Sequence, residues 1–282
     1  MPLIIARLEG QIGTLTLNRP EKRNAISEAL VHEALAALAA FEAAGARVVV
    51  LRALPGSRVW SAGHDLAELP EGGRDPLTWD DSLRKLVRAI AGFPAPVIAM
   101  VEGTVWGGAC ELVLACDIVV AATDSTFAIT PARLGVPYDL SGMSNLVNAI
   151  GIHMLKEMLF TAQPLDVPRA ERLGIVNYAL PARELEARVA ELARQILDNA
   201  PLSIAVMKEE IRILCGARPV APEGYTRVQG MRRQAYDSPE YREGIAAARE
   251  QRPPVFDGKS RSRRGRPQTG ATGTVYSGHR SR

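Results

Sequence analysis

The chain has 282 residues, 47% of them hydrophobic and 23% charged, with a formal net charge of +3. That length suits one enzyme-sized domain or a domain with an appendage, and the composition is that of an ordinary globular protein. It argues against disulfide-rich and membrane-spanning classes, because the 3 cysteines form no CxxC pair and no apolar run approaches bilayer length.

The apolar run in "MPLIIARLEG" is too short for a signal-peptide core, so a cytoplasmic protein with no membrane contact is expected. Cys110, Cys116 and Cys215 all lie in apolar surroundings and read as buried thiols, which points to neither a disulfide framework nor a metal site. The positive charge is concentrated at the end: 7 Lys/Arg and 1 Asp fall between Asp257 and Arg282, leaving the rest mildly acidic. This tail has almost no large apolar residue to offset its ordering entropy and is expected to be disordered. A basic tail can hold nucleic acid by counterion release, or it can be a solvated extension.

In chain order, "LIIARLE", Gly10 and "IGTLTL" predict a hairpin, with Leu15 and Leu17 alternating with Thr14 and Thr16. Ser27 is placed to cap a helix through about Phe41, which Gly45 closes before the fully apolar strand "RVVVLRA". A buried strand after a crossover helix implies an α/β core with parallel strands. Next comes "VWSAGHDLAEL", with the small pair Ala62-Gly63 before His64, and Asp65 placed to cap a following helix. "PVIAMVEG" is a second buried strand, a turn runs through Gly103 to Gly107, an apolar helix begins near Gly108, and "DIVVAA" is a third strand. After about Leu180 only helical patterns remain, so we expect an α/β core over 1–195, a helical region over 196–256 and the tail over 257–282. The apolar faces of the last helices, with Ile204, Val206, Ile211 and Ile213, exceed what a thin appendage buries alone.

In "VEGTVWGGACELVLACD" two glycines and Glu111 sit at a strand-to-helix junction. Helix starts carry unpaired amides and partial positive charge, and glycine lets a ligand approach the backbone. An amide so placed can stabilise an oxygen anion, a donor worth about 3–4 kcal/mol of transition-state energy. Glycines kept only for a tight turn are the alternative. "SAGHDL" presents a second flexible turn after a neighbouring strand, and the two could converge beyond the carboxyl ends of the strands.

The pair "SAGHDL" and "VEGTVWGGACEL", with "NRPEKRNAIS" upstream and a helical carboxyl end, resembles the crotonase (enoyl-CoA hydratase/isomerase) superfamily up to Phe256. The resemblance implies an α/β spiral of ββα units with a carboxyl-terminal helical trimerisation region, acyl-CoA thioester substrates, and a homotrimer or dimer of trimers. It implies an oxyanion hole from the amides of His64 and Gly108, and a groove for the CoA adenine and pantetheine along Ala62, Gly63, Asp65 and Leu66. His64 then acts through its backbone.

Hydratases need two carboxylates. Glu111 falls where the first lies in this superfamily, but the second falls within "FAITPARLG", where Pro131 stands, and no carboxylate occurs from Ser125 through Tyr138. Glu111 is then a proton-handling remnant, or the ion-pair partner of an arginine. "VWSAGHDLAELPEGGRDPLTWDD", "TPARLGVPYDLSGM" and "VQGMRRQAYDS" resemble a decarboxylating subgroup acting on methylmalonyl-CoA. That implies loss of CO2 to give propionyl-CoA with no biotin, metal or organic prosthetic group.

By the same resemblance Tyr138 and Thr130 stand beside the substrate carboxylate, and Trp106 walls the acyl pocket. The CoA phosphates are expected to meet Arg19, Lys22 and Arg23, or Arg252, since Gln251 stands where the subgroup has a lysine. Two other functions stay open: an enoyl-CoA hydratase or isomerase, and a nucleic-acid binder acting through the tail.

Overall fold

The run "VVVLRA" is apolar without alternation because its strand is covered on both faces. The computed structural model describes residues 1–70, 75, 80–216 and 220–256, so the basic tail lies outside the described residues. The chain opens with an antiparallel pair, β1 (Ile4–Glu9) and β2 (Ile12–Leu17), turning at Gly10 with φ +60°. Ser27 caps α1 (Glu28–Ala43) by accepting from the Leu30 amide at 3.3 Å.

A unit of long strand, short strand and helix then repeats. β3 (Val48–Ala53), β4 (Val59–Ser61) and α2 (Ser82–Gly92) form the first, followed by β5 (Val97–Val101), β6 (Thr104–Trp106) and α3 (Gly108–Leu114). β7 (Ile118–Ala122) and β8 (Thr126–Ala128) lead into α4 (Leu140–Ala149) and α5 (Ile152–Thr161). β9 (Leu165–Asp166), α6 (Val167–Arg172) and β10 (Tyr178–Leu180) complete the body. The long strands pair in the order β1-β2-β3-β5-β7-β10, parallel from β2 onward. The short ones form a second sheet, β4-β6-β8-β9, so each turn of the spiral adds one strand to each sheet.

Because strand side chains alternate, the central sheet feeds two cores. Val49, Leu51, Val97 and Ala99 pack toward α1, α2 and α3. Val48, Val50, Ile98 and Met100 face α7 (Leu185–Leu197) through Leu185, Val189 and Leu192. The helices α8 (Pro201–Gly216), α9 (Pro222–Tyr236) and α10 (Pro239–Arg249) follow. α9 and α10 fold back on the body: Tyr236 donates its hydroxyl to the Pro137 carbonyl at 3.0 Å, and Tyr241 donates to that of Pro70 at 2.6 Å. α8 buries none of its residues, leaving Leu202, Val206, Met207 and Ile211 exposed.

The hairpin, α1, the three apolar strands and the late helices match the sequence expectations. Three local readings do not. The segment expected as a turn through Gly103 to Gly107 contains β6, a strand too short to show a period of its own. Asp65 caps no helix; its carboxylate takes the Ala67 amide at 3.0 Å within a turn and pairs with Arg19. Cys215 is exposed near the end of α8, whereas Cys110 and Cys116 are buried as expected.

Gly244 on α10 meets the 3-10 turn Pro131–Leu134, and a Cβ there would lie 2.4 Å from the Leu134 carbonyl carbon. Gly244→Ala is expected to destabilise the fold by about 1–3 kcal/mol through overpacking. Urea unfolding measures it, and an unchanged midpoint would show that α10 is not docked this closely.

Candidate active site

Two backbone amides meet beyond the carboxyl ends of β4 and β6. Ile26 runs beside His64 as a parallel bridge: the Ile26 amide donates to the Gly63 carbonyl at 2.8 Å, and the Asp65 amide to the Ile26 carbonyl at 3.1 Å. Successive amides of extended backbone point opposite ways, so the His64 amide faces away from this partner. Gly108 opens α3, where the first amides have no intrahelical acceptor. Among the described residues neither amide donates to a protein acceptor. A Cβ on Gly108 would lie 3.7 Å from the His64 nitrogen, so the two donors border one small space.

Only glycine permits this approach. Gly63 has φ +84°, and a Cβ on it would fall 2.5 Å from the Trp106 carbonyl oxygen and 2.9 Å from the Gly108 nitrogen. Gly107, at φ +56°, donates to the Ala128 carbonyl at 2.8 Å and aims the helix start at the first turn.

The amides adjoin a cleft of about 1000 Å³ bordered by Lys22, Arg23, Ala62, Asp65, Leu66 and Arg252. A chamber of about 70 Å³ shares Ala62, His64, Leu66 and Thr130 with the cleft and adds Gly108, Glu111, Pro131 and Tyr138. The Tyr138 hydroxyl donates to the Gly107 carbonyl at 3.4 Å, and burial, reinforced by the Glu111 charge, holds the phenol well above its ordinary range. It is therefore a neutral donor. Thr130 leads into the 3-10 turn without capping it, leaving its hydroxyl at the chamber wall.

Glu111 is the sole carboxylate among the described residues of the chamber. It is fully buried, touches the Arg84 guanidinium, and accepts from the Asn145 amide at 3.2 Å. Burial raises its pKa against the pull of Arg84 and Asn145. Arg84 also lies 2.5 Å from Asp139, which caps α4 by accepting from the Gly142 amide at 2.8 Å. Stripping Arg84 from this buried group would cost about 3–5 kcal/mol. The ion pair that the sequence left open for Glu111 is thus present.

The expected site residues divide by position. His64, Gly108, Tyr138 and Thr130 gather at the chamber, and Ala62, Asp65, Leu66 and Arg252 border the cleft. Gly63 borders neither and packs behind the wall. Trp106, expected to wall the acyl pocket, lines the wide cleft and is absent from the described wall of the chamber. Arg19 is engaged with Asp65 at 2.6 Å and with the Ala25 carbonyl, so of that turn only Lys22 and Arg23 reach the cleft. Arg252 pairs with Glu243 at 2.6 Å and with Glu250 at 2.6 Å, which occupies its charge before any phosphate arrives.

The residues that the sequence reading missed lie on α2 and α4: Asp81, Leu83, Arg84 and Asn145. Leu83, Leu86, Val87 and Ile90 after the capping Asp81 follow helical spacing and would have exposed α2. Among the described residues no group of three His, Cys, Asp or Glu is arranged to hold a metal, and no helix is long and apolar enough to cross a membrane.

Methylmalonyl-CoA decarboxylase of Escherichia coli (strain K12) is 46% identical over 248 residues, covering 88% of this chain and 95% of that protein. A solved methylmalonyl-CoA decarboxylase in complex with 2-nitronate-propionyl-CoA superposes with a TM-score of 0.89 at 44% identity, over 91% of this chain and 98% of that one. Another, complexed with 2S-carboxypropyl CoA, matches with the same TM-score of 0.89 and identity of 44%, over 91% and 98% of the two chains. The family described as Enoyl-CoA hydratase/isomerase matches residues 7–259, a span that holds both amide-bearing turns and the closing helices. The chain belongs to the enoyl-CoA hydratase/isomerase family.

Proposed function

We propose that this chain decarboxylates methylmalonyl-CoA to propionyl-CoA and CO2 through a thioester enolate. One observation carries the reading: two unengaged amides border a chamber whose sole carboxylate among the described residues is tied to an arginine. The similarity to decarboxylases whose solved complexes contain propionyl and carboxypropyl CoA ligands supports it.

The C–C bond to the carboxylate breaks, CO2 leaves, the electron pair delocalises onto the thioester oxygen, and a proton from solvent taken up at the α-carbon then completes propionyl-CoA. The His64 and Gly108 amides receive that oxygen where the charge develops. No base is needed to start, so a site lacking a free pair of carboxylates suits this reaction and not hydration. The Tyr138 and Thr130 hydroxyls orient the departing carboxylate without a full counter-charge that would stabilise the ground state. The apolar wall favours release of a neutral product. In this reading the amides supply the electrophilic assistance, and the chemistry calls for no biotin, metal or organic prosthetic group.

Ala62, Asp65 and Leu66 border the path of the CoA moiety, with Gly63 behind them, and Lys22, Arg23, Arg133 and Arg252 are the cations that line it. A CoA thioester is an intracellular metabolite, which is consistent with a cytoplasmic location. The uncovered apolar residues of α8 support assembly into a trimer or dimer of trimers, and the helical region beyond residue 195 supplies its contact surface.

Mass spectrometry of products tests the reaction. Methylmalonyl-CoA should yield propionyl-CoA, and crotonyl-CoA should remain unhydrated; hydroxybutyryl-CoA from crotonyl-CoA alone would instead assign a hydratase in which Glu111 works unpartnered. Gly108→Pro removes one donor at the first helical position, where the backbone accepts proline but the Leu83 side chain must shift for its ring, and kcat should fall at least about 10²–10³-fold. Tyr138→Phe should lower kcat/KM by about one to two orders of magnitude, the worth of a hydrogen bond to a charged group, in steady-state assays. Sedimentation should show a trimer or hexamer, and a clean monomer would count against α8 as an interface.

A further inference from the structure

The decarboxylation proposed above moves one unit of negative charge from the substrate carboxylate to the thioester oxygen and leaves the total unchanged. A fixed charge felt equally at both ends leaves the barrier alone, and only a difference between the ends lowers it.

The chamber has such a difference. At the Glu111 end Arg84 faces two carboxyl groups, Glu111 and Asp139, the second at 2.5 Å, so that cluster carries net negative charge, whereas a protonated His64 against the single carboxylate of Asp81 carries none. At the oxygen end stands the His64 ring. Its Nε2 lies 2.8 Å from Asp81 Oδ2 and its Nδ1 lies 3.3 Å from the Asp65 carbonyl oxygen. Both ring nitrogens face acceptors, and only the doubly protonated ring donates to both. His64 borders both cavities, whereas Asp81 is absent from their described walls, and the His64 side chain is 15% exposed against 7% for Asp81, so the ring is the more accessible member of the pair. Asp81 is itself fixed, since its Oδ1 caps α2 by accepting from the Arg84 amide at 3.2 Å.

The other charged groups around the ring are Arg84 on α2, Glu111 on α3, and Asp65 and Glu68 in the turn after it, with Asp65 held by Arg19. Lys22, Arg23, Arg133 and Arg252 share the cleft, Arg252 being paired with Glu243 and Glu250, and the neutral Tyr138 shares the chamber. Burial opposes charging the ring, but the Asp81 hydrogen bond and charge outweigh it, with the Asp65 carbonyl and Glu68 adding to them.

We propose that Asp81 is a positioning residue for this reaction, holding the His64 side chain as an imidazolium beside the amide that receives the enolate oxygen. His64 then serves the reaction twice, once with its backbone and once with the charge of its ring.

Asp81→Asn keeps an oxygen for the Arg84 amide and removes the charge. The test follows kcat and KM for methylmalonyl-CoA against pH, alongside the His64 ring titration read by NMR. A group required in its charged form supports turnover below its pKa and ceases to as pH rises through it, so the wild-type alkaline limb should lie above the ordinary histidine range. In Asp81→Asn the ring titration and the limb should both move to lower pH by about one unit or more, with kcat near neutrality down about tenfold. KM should change less than about twofold, because the charge acts on the transition state. His64→Gln, which keeps the amide, should abolish the limb and make Asp81→Asn silent in the double variant; it also carries the test if Asp81→Asn fails to fold. A kcat profile that stays in place while the ring titration moves, or a loss confined to KM, overturns the proposal. It rests on the decarboxylation reading: a wild type that turns over no methylmalonyl-CoA removes both, whereas turnover with an unmoved profile removes this inference alone.

Discussion

A side chain at residue 63 would occupy the space now filled by the Trp106 carbonyl and the Gly108 amide. The contact between these two turns is the constraint on which the rest of the site depends. It brings two amides from different repeats within reach of one oxygen, and it exists because each turn of the spiral sends a short strand to the second sheet beside its predecessor. β4 and β6 are parallel neighbours, so their carboxyl ends lie side by side and the segments leaving them must pass each other. Glycine at 63 and 107 lets them pass at backbone distance.

Around that contact, α2 gathers the remaining groups within one helical turn. Asp81 bonds the His64 ring, Leu83 packs against Gly108, and Arg84 meets Glu111. A Cβ on Gly108 would lie 2.3 Å from the Leu83 side chain, and one on Gly142 would lie 2.2 Å from the Arg84 guanidinium. The Glu111 carboxylate is in this way part of the wall, held by Arg84 and Asn145. In the reading proposed above the two amides do the chemistry while this carboxylate is engaged, which is how one scaffold serves different reactions.

Much of this was legible in the sequence. The apolar strands, the capped α1 and the glycines of the two turns carry local signals, and the family resemblance pointed to His64 and Gly108, whose amides come to border one space. What the sequence hid was non-local or short. Arg84 and Glu111 are 27 positions apart, and nothing in their spacing announces the pair. Arg19 read as a phosphate ligand because its partner Asp65 lies 46 positions away and read as a helix cap. β6 has three residues, fewer than a period needs to declare itself. Cys215 looked buried because its neighbours are apolar, but those apolar neighbours belong to α8, whose residues are left uncovered.

The Tyr241 hydroxyl reaches back 171 positions to Pro70, and that of Tyr236 reaches back 99 positions to Pro137, beside Tyr138. The segments on either side of the chamber are therefore secured by helices made after both amide-bearing turns. A chain emerging from the ribosome amino end first holds both amide-bearing turns long before it holds these tyrosines. The pocket thus takes its final form only after α9 and α10 have been made, and the order in which the polypeptide is made sets the moment at which the site is complete.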